Sequence, residues 1–170
     1  MIKPLEKINL EFEKNFQAIF NTPKLTQKYL NQRSDIFDKL IIDEFLKRKL
    51  ENDFAIVALG GYGRRELYPS SDIDLSIIQL TKKTKKIDDV KDFIGWLWTL
   101  KVKIGHSVRT IKDIDKITRS DLKEFTSYLS NRVIYCHRNN INDLNQNLKK
   151  ISSNWNKTKF FNAKKLEQQR

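Results

Sequence analysis

Two apolar runs on either side of a glycine-rich turn most constrain the fold of this chain. Residues 54–59 are uniformly apolar, which is typical of a short strand buried on both of its faces. Residues 72–78 alternate between polar and apolar side chains, which is the period of a strand with one polar face. Asp72 and Asp74 share that polar face, since side chains two apart in a strand point the same way.

The rest of the chain is predicted to be mostly helical. Helical spacing of apolar residues predicts helices over 5–20, 24–50 and 87–100. A third strand is predicted over 102–111, and helices follow it to the end of the chain. This order predicts an α/β or α+β fold in which a small mixed sheet is flanked by N- and C-terminal helices. We divide the chain into three parts: an N-terminal helical segment (1–52), a core that contains the predicted sheet (53–118) and a C-terminal helical segment (119–170).

Composition limits the class of protein. A length of 170 residues suits one domain, and 39% apolar residues are enough to form a core. No apolar run reaches the roughly 18 residues of a membrane span, and the N-terminus lacks the apolar stretch of a signal peptide. The single cysteine, Cys136, excludes an internal disulfide and fits a reducing compartment. We therefore predict a soluble, cytoplasmic protein with no membrane partner.

The net charge of +12 can be interpreted in two ways. A basic surface can bind nucleic acid or other anions, but here the positive charge is spread along the whole chain. The lysine-rich run at residues 82–86 contains no aromatic residue that could stack on a base. General lysine enrichment is the favoured interpretation, and no nucleic-acid partner is expected.

The turn between the two strands carries Gly60, Gly61 and Gly63. Glycine lets the backbone approach a ligand closely, although an ordinary strand-to-helix turn would also use it. Asp72 and Asp74 follow about ten residues later, in a segment type where aspartate is disfavoured. Two carboxylates on one strand face can share Mg²⁺ ions that bind a triphosphate. The combination favours phosphoryl or nucleotidyl transfer over a solvated strand edge.

Residues 60–75 resemble the nucleotidyltransferase signature of the DNA polymerase β superfamily, in which a Gly-Gly or Gly-Ser turn precedes Asp-x-Asp. They are most similar to the form found in bacterial PII uridylyltransferases. Residues 103–110, Lys-Ile-Gly-His-Ser-Val-Arg-Thr, resemble the next strand of that family. Similar residues occur at Asp121, Thr126 and Arg132, and the resemblance covers residues 30–170.

The resemblance implies an activity. Enzymes of this family transfer UMP from UTP to a tyrosine hydroxyl of the PII nitrogen-signalling protein and release pyrophosphate. Asp72 and Asp74 would bind Mg²⁺, and one of them would help to deprotonate the tyrosine. The chain is expected to be a fragment or a truncated form without uridylyl-removing or glutamine-sensing activity. Two alternatives stay open: a stand-alone small-molecule or toxin-type nucleotidyltransferase, and an inactive nucleotide-binding module.

The same resemblance implies the nucleotide contacts. Gly60 and Gly61 would hold the triphosphate through backbone N–H groups, and Ser71 would add a hydroxyl contact. Arg64 is a candidate phosphate ligand, unless it pairs with the nearby Glu66. Arg109 is a candidate for contact with the triphosphate or for an ion pair with an acid.

The third carboxylate that this superfamily often supplies is not visible. Residues 103–110 contain no acid, and Asp113 and Asp115 lie just beyond them. His106 or Ser107 could take that place, although a lone histidine is more often structural. The third metal ligand is therefore left unassigned.

Two expectations concern the C-terminal part. Ser120 is predicted to cap a helix that includes Val133 and Ile134, although Asp121 would serve equally well as an acid of its first turn. Cys136 is then expected to be a buried, inert thiol in the same apolar helical stretch.

Overall fold

The computed structural model describes residues 3–168. Its elements follow in chain order: α1 (Lys3–Lys14), α2 (Phe16–Phe20), α3 (Pro23–Lys47), β1 (Phe54–Leu59), α4 (Gly60–Gly63), β2 (Ile73–Gln79), α5 (Ile87–Trp98), β3 (Ile104–Thr110), α6 (Ile111–Ser120), α7 (Leu122–Leu129), β4 (Arg132–Tyr135), α8 (Ile141–Ile151) and α9 (Lys157–Gln168). The prediction of a small sheet flanked by helices is confirmed.

The four strands form one mixed sheet in the order β3-β2-β1-β4. β1 runs antiparallel to both of its neighbours, whereas β2 and β3 run parallel. A parallel pair needs a long crossover, and α5 supplies it between β2 and β3. The start of β2 therefore lies beside the end of β1 and the start of β3.

Two hydrophobic cores cover the two faces of the sheet. Alternate residues of β1 enter each core, and the whole strand is buried, as its uniform apolar sequence predicts. One core contains buried side chains of α3 and α5, including Phe37, Phe45 and Phe93. The other contains side chains of α6, α7 and α8, including Tyr128 and Leu148.

The alternation predicted for the second strand is also confirmed. Ile73, Leu75 and Ile77 are buried in the core that contains α3 and α5. Asp74 and Ser76 point to the opposite face, where the buried Ser76 hydroxyl lies 2.7 Å from the hydroxyl of Tyr128 on α7. Asp72, which we had placed in this strand, lies in the loop directly before it.

Three predictions for the C-terminal part were wrong. Val133 and Ile134 belong to strand β4, which pairs with β1 across a register shift, and not to a helix. Cys136 consequently follows a strand, where it is only partly buried, and this burial raises the pKa of its thiol. Ser120 ends α6, and Asp121 caps α7 by accepting a 2.9 Å hydrogen bond from the N–H of Glu124.

The helices predicted over 24–50 and 87–100 are observed as α3 and α5, whereas the one predicted over 5–20 is divided into α1 and α2. Pro23 occupies the start of α3, where its missing N–H costs no hydrogen bond. Trp96 and Trp98 lie on different faces of α5, one partly buried against the core and the other exposed. None of the helices within residues 3–168 is long and apolar enough to cross a membrane.

Gly63 marks where α4 packs against the chain that leads into β4. A Cβ atom on Gly63 would lie 2.0 Å from the carbonyl oxygen of Ser130 and 3.0 Å from that of Ala58. Both neighbours are backbone atoms, so neither can move without shifting β1 or the start of β4. The residue must therefore be glycine for packing, independently of any ligand.

We predict that Gly63→Ala destabilises the fold by about 3 kcal/mol, the upper part of the range for overpacking a tight site. For a chain of this size that lowers the unfolding midpoint by roughly 6–12 °C. The measurement is thermal unfolding followed by circular dichroism. Gly95→Ala is the matched control, because a Cβ there meets nothing within 4 Å and the residue lies in α5. A Gly63→Ala midpoint equal to that of the control would contradict the prediction.

Candidate active site

The sheet places the carboxylate of Asp74 between two glycines. In the strand register, Asp74 lies opposite Leu59 of β1 on one side and Gly105 of β3 on the other. A Cβ atom on Gly105 would lie 2.4 Å from Asp74 Oδ1, and one on Gly60 would lie 3.6 Å from Oδ2. The missing side chain at Gly105 therefore makes the space that this carboxylate occupies.

Asp72 and Asp74 form the acidic centre of the site. Partial burial raises the pKa of the Asp74 carboxyl, the negative charge of Asp72 raises it further, and Lys123 lowers it. Both aspartates remain open to solvent on one side. A cation beside Asp74 would stabilise its ionised form, because it would offset both the burial and the neighbouring negative charge.

This donor set fits Mg²⁺ bound together with a substrate. No cluster of three or more His, Cys, Asp or Glu side chains that could hold a metal occurs within residues 3–168. Mg²⁺ commonly uses one or two carboxylates and completes its shell with water and phosphate oxygens. Asp72 and Asp74 are the residues that would hold it.

The glycine-rich turn begins beside Asp74. Gly60 adopts a φ of +56°, a conformation that residues with a Cβ rarely take, and this turns the chain sharply out of β1 into α4. Leu59 precedes α4 and provides no side-chain cap, so the first N–H groups of the turn are not satisfied by a neighbouring side chain. Gly60 therefore lies close to the acidic pair, and nucleotide binding by the backbone N–H groups of Gly60 and Gly61 stays a prediction.

An aspartate that accepts hydrogen bonds from both an arginine and a tyrosine holds this turn in place. Asp38 of α3 accepts hydrogen bonds from Arg132 of β4 at 2.6 and 3.1 Å and from the hydroxyl of Tyr62 at 2.6 Å. Burial and the Asp38 charge raise the pKa of Tyr62, which stays a neutral donor. Since Tyr62 is part of α4, the network ties the turn to both α3 and β4.

Two more arginines fix the loop that follows α4. Arg33, almost fully buried in α3, donates a 3.1 Å hydrogen bond to the carbonyl oxygen of Pro69. Arg65 pairs with Asp35 and also bonds Asn31 at 3.2 Å. Arg65 is thus a structural residue of the loop.

Arg64 and Ser71 are already engaged near the turn. Arg64 donates to Glu66 at 2.7 Å and to the hydroxyl of Ser130 at 3.2 Å, and half of its side chain is exposed. The hydroxyl of Ser71 accepts a 3.2 Å hydrogen bond from the N–H of Tyr68, which closes a tight turn. Their roles in nucleotide binding stay predictions.

A cleft of about 270 Å³ opens beside Asp74. Its walls come from β3 and α7, including Ser107, Arg109 and Lys123. Arg109 forms a two-point ion pair with Glu124, with N···O distances of 2.7 and 2.9 Å, and this pair raises the pKa of Arg109. Of the two roles proposed for Arg109, the structure therefore displays the pairing with an acid.

The two acids that follow β3, which were candidates for a third metal ligand, are bound to partners of their own. Asp113 closes the capping box of α6 with Thr110, and Asp115 pairs with Arg119. His106 lines the cleft, but its ring lies edge-on to Trp98 with centroids 5.8 Å apart.

Two residues of the site were not singled out from the sequence. Gly105 carried a detectable signal, because a glycine inside a strand often marks close approach of another group. Lys123 carried none, since nothing in the sequence distinguishes it from the other lysines. Only the packing of α7 over the sheet brings it to the cleft.

The chain was compared with protein families and with curated proteins. No protein-family model matches it. Three of its curated relatives carry the name bifunctional uridylyltransferase/uridylyl-removing enzyme. The relative from Haemophilus influenzae (strain PittEE) is 34% identical over 142 residues, and the one from Pseudoalteromonas translucida is 36% identical over the same length. The relative from Idiomarina loihiensis is 32% identical over 167 residues.

These matches cover most of the chain but a small part of each relative. They include 82%, 82% and 95% of this chain and 16%, 16% and 19% of the respective relatives. The chain thus spans less than a fifth of the length of these proteins. The glycine-rich turn, the acidic pair and the mixed sheet accord with the nucleotidyltransferase signature recognised in the sequence. The chain belongs to the family of nucleotidyltransferases named bifunctional uridylyltransferase/uridylyl-removing enzymes.

Proposed function

We propose that this chain transfers UMP from UTP to a tyrosine of a PII signalling protein, with Mg²⁺ as cofactor and pyrophosphate as the second product. The observation that carries the proposal is the Asp74 carboxylate, which lies against Gly105, beside Asp72 and at the mouth of the cleft. The names of its relatives support uridylyl transfer as the reaction. The unpaired thiol of Cys136 supports a cytoplasmic location.

The chemistry follows from the residues around the acidic pair. The tyrosine oxygen forms a bond to the α-phosphorus while the bond from that phosphorus to the pyrophosphate oxygen breaks. The phenolic proton passes to Asp72 or Asp74. The N–H groups of Gly60 and Gly61 hold phosphate oxygens, and bound Mg²⁺ would neutralise charge on the triphosphate and the leaving pyrophosphate.

Positioning is the main contribution of the protein scaffold. The buried strand β1 and the network around Asp38 hold the turn rigidly against the sheet. A rigid turn fixes the α-phosphorus relative to the acceptor oxygen, which lowers the entropic part of the barrier.

The proposal is tested by offering the chain four labelled nucleotides. The chain is incubated with a PII protein, Mg²⁺ and UTP, ATP, CTP or GTP carrying label in the α-phosphate. We expect label on the PII protein with UTP only, and loss of label when EDTA removes Mg²⁺. The Asp72→Asn, Asp74→Asn double variant is the negative control.

Each other outcome has a definite meaning. Labelling of a small molecule instead of the PII protein would support the stand-alone nucleotidyltransferase. Nucleotide binding that depends on Mg²⁺ but leads to no transfer would support an inactive module. Failure to bind any nucleotide with Mg²⁺ present would overturn the proposal.

A further inference from the structure

The candidate cations of the site differ in whether a carboxylate already holds them. Arg64 is paired with Glu66, and Arg109 is held by Glu124 through two hydrogen bonds. A guanidinium that is already paired with a carboxylate has its charge partly neutralised, and some of its N–H donors are in use. Both arginines therefore attract a triphosphate less strongly than an unpaired cation would.

Lys123, by contrast, is paired with no carboxylate in the part of the chain that the structure describes. It lies in the first turn of α7 and lines the same cleft as Asp74 and Gly105. Within residues 3–168 its ammonium takes part in no hydrogen bond or ion pair, and its charge acts on Asp74 across the cleft. The side chain is exposed and free to turn toward a ligand.

The other charges that line the cleft can be balanced without Lys123. Arg109 and Glu124 neutralise one another, and Asp121 is occupied as the cap of α7. The acidic pair is expected to be neutralised by Mg²⁺. A lysine acts as a flexible point charge with three donors, which suits an irregular set of phosphate oxygens.

We propose that Lys123 binds the phosphates of the nucleoside triphosphate, in place of Arg109. This inference rests on the proposed function and adds a substrate-binding residue to the same site. It also gives α7 a role, because the helix brings a cation to the cleft that Asp74 lines.

The test measures the dissociation constant of UTP with Mg²⁺ by isothermal titration calorimetry. Lys123→Met is expected to weaken UTP binding by roughly 10- to 100-fold, the usual effect of losing a charged hydrogen bond. Binding of uridine, which has no phosphate, should not change. Lys123→Arg should restore most of the affinity. Lys116→Met is the matched control, since Lys116 is an exposed lysine of α6 outside this cleft.

A second measurement separates phosphate binding from a simple effect on Asp74. If Lys123 served only as a counter-charge to Asp74, its removal would strengthen Mg²⁺ binding without nucleotide and leave UTP binding no weaker. That pattern would overturn the inference alone. A wild-type chain that binds no UTP would overturn the proposed function as well, so the two failures are distinguishable.

Discussion

Asp74→Asn is expected to reduce uridylyl transfer by at least about 10³-fold, since a catalytic metal contributes several kcal/mol to the transition state. The substituted amide keeps the shape of the side chain but carries no charge for Mg²⁺. The initial rate of labelling of the PII protein measures the loss. Asp53→Asn is the control, because Asp53 bonds Thr81 at 2.8 Å and does not line the cleft.

The same substitution should make the metal-free chain slightly more stable at neutral pH. Burial and Asp72 raise the pKa of Asp74 above its ordinary value of 3.8. The stability contributed by the protonated carboxyl is present below that ordinary value and is lost as the pH rises through the raised pKa. Asn cannot ionise, so its variant avoids this loss.

Thermal unfolding across pH checks the sign of this effect. At pH 7 without metal, the variant should unfold about 1–2 °C above the wild type, in keeping with a small change near a surface. The difference should vanish near pH 3. Mg²⁺ should stabilise the wild type and have little effect on the variant. Lower stability of the variant at pH 7, or an active variant, would contradict the assignment of Asp74.

Gly105→Ala is expected to lose about 10²-fold in kcat/KM for transfer, the usual result of a displacement near 1 Å at a reacting centre. The new methyl group would occupy the position 2.4 Å from Asp74 Oδ1, so the carboxylate must rotate away. The displaced group is the end of a side chain, and the backbone around it need not move. The fold should therefore survive.

The unfolding midpoint distinguishes this effect from a folding defect. Gly105→Ala should unfold within about 2 °C of the wild type, since alanine also restricts the unfolded chain. Gly95→Ala, at a position with no neighbour within 4 Å, should keep full activity. Full activity of Gly105→Ala would show that the carboxylate does not need its present orientation.

The fold was predictable where hydrophobic pattern alone decides it. β1 was predicted at its observed bounds. A strand that is buried on both faces is an unbroken apolar run, so its first and last residues are easy to recognise in the sequence. β4 was missed because four residues are too few to separate strand from helix periodicity. Its position depends on pairing with β1 and on the contact of Arg132 with Asp38, which lies 94 residues earlier in the sequence.

The candidate site, like the fold, was predictable only where one short segment of sequence carries the information. The spacing of the glycine-rich turn and the acidic pair could be read from the sequence, because one short segment carries both. The partners of Arg109 and the nearness of Lys123 to Asp74 depend on how α7 packs over the sheet. No local pattern contains that information, so residues brought in by tertiary packing were beyond prediction.

The sheet order has a consequence for the timing of assembly. Asp72 and Asp74 leave the ribosome well before Ser130 and Arg132, which pack against Gly63 and Tyr62. Contacts between residues so distant in sequence form slowly, because a long loop must close first. The acidic pair is thus translated early, but the turn beside it gains the support of Arg132 and Ser130 only when β4 docks. Completion of the candidate site is therefore a late event in the folding of this chain.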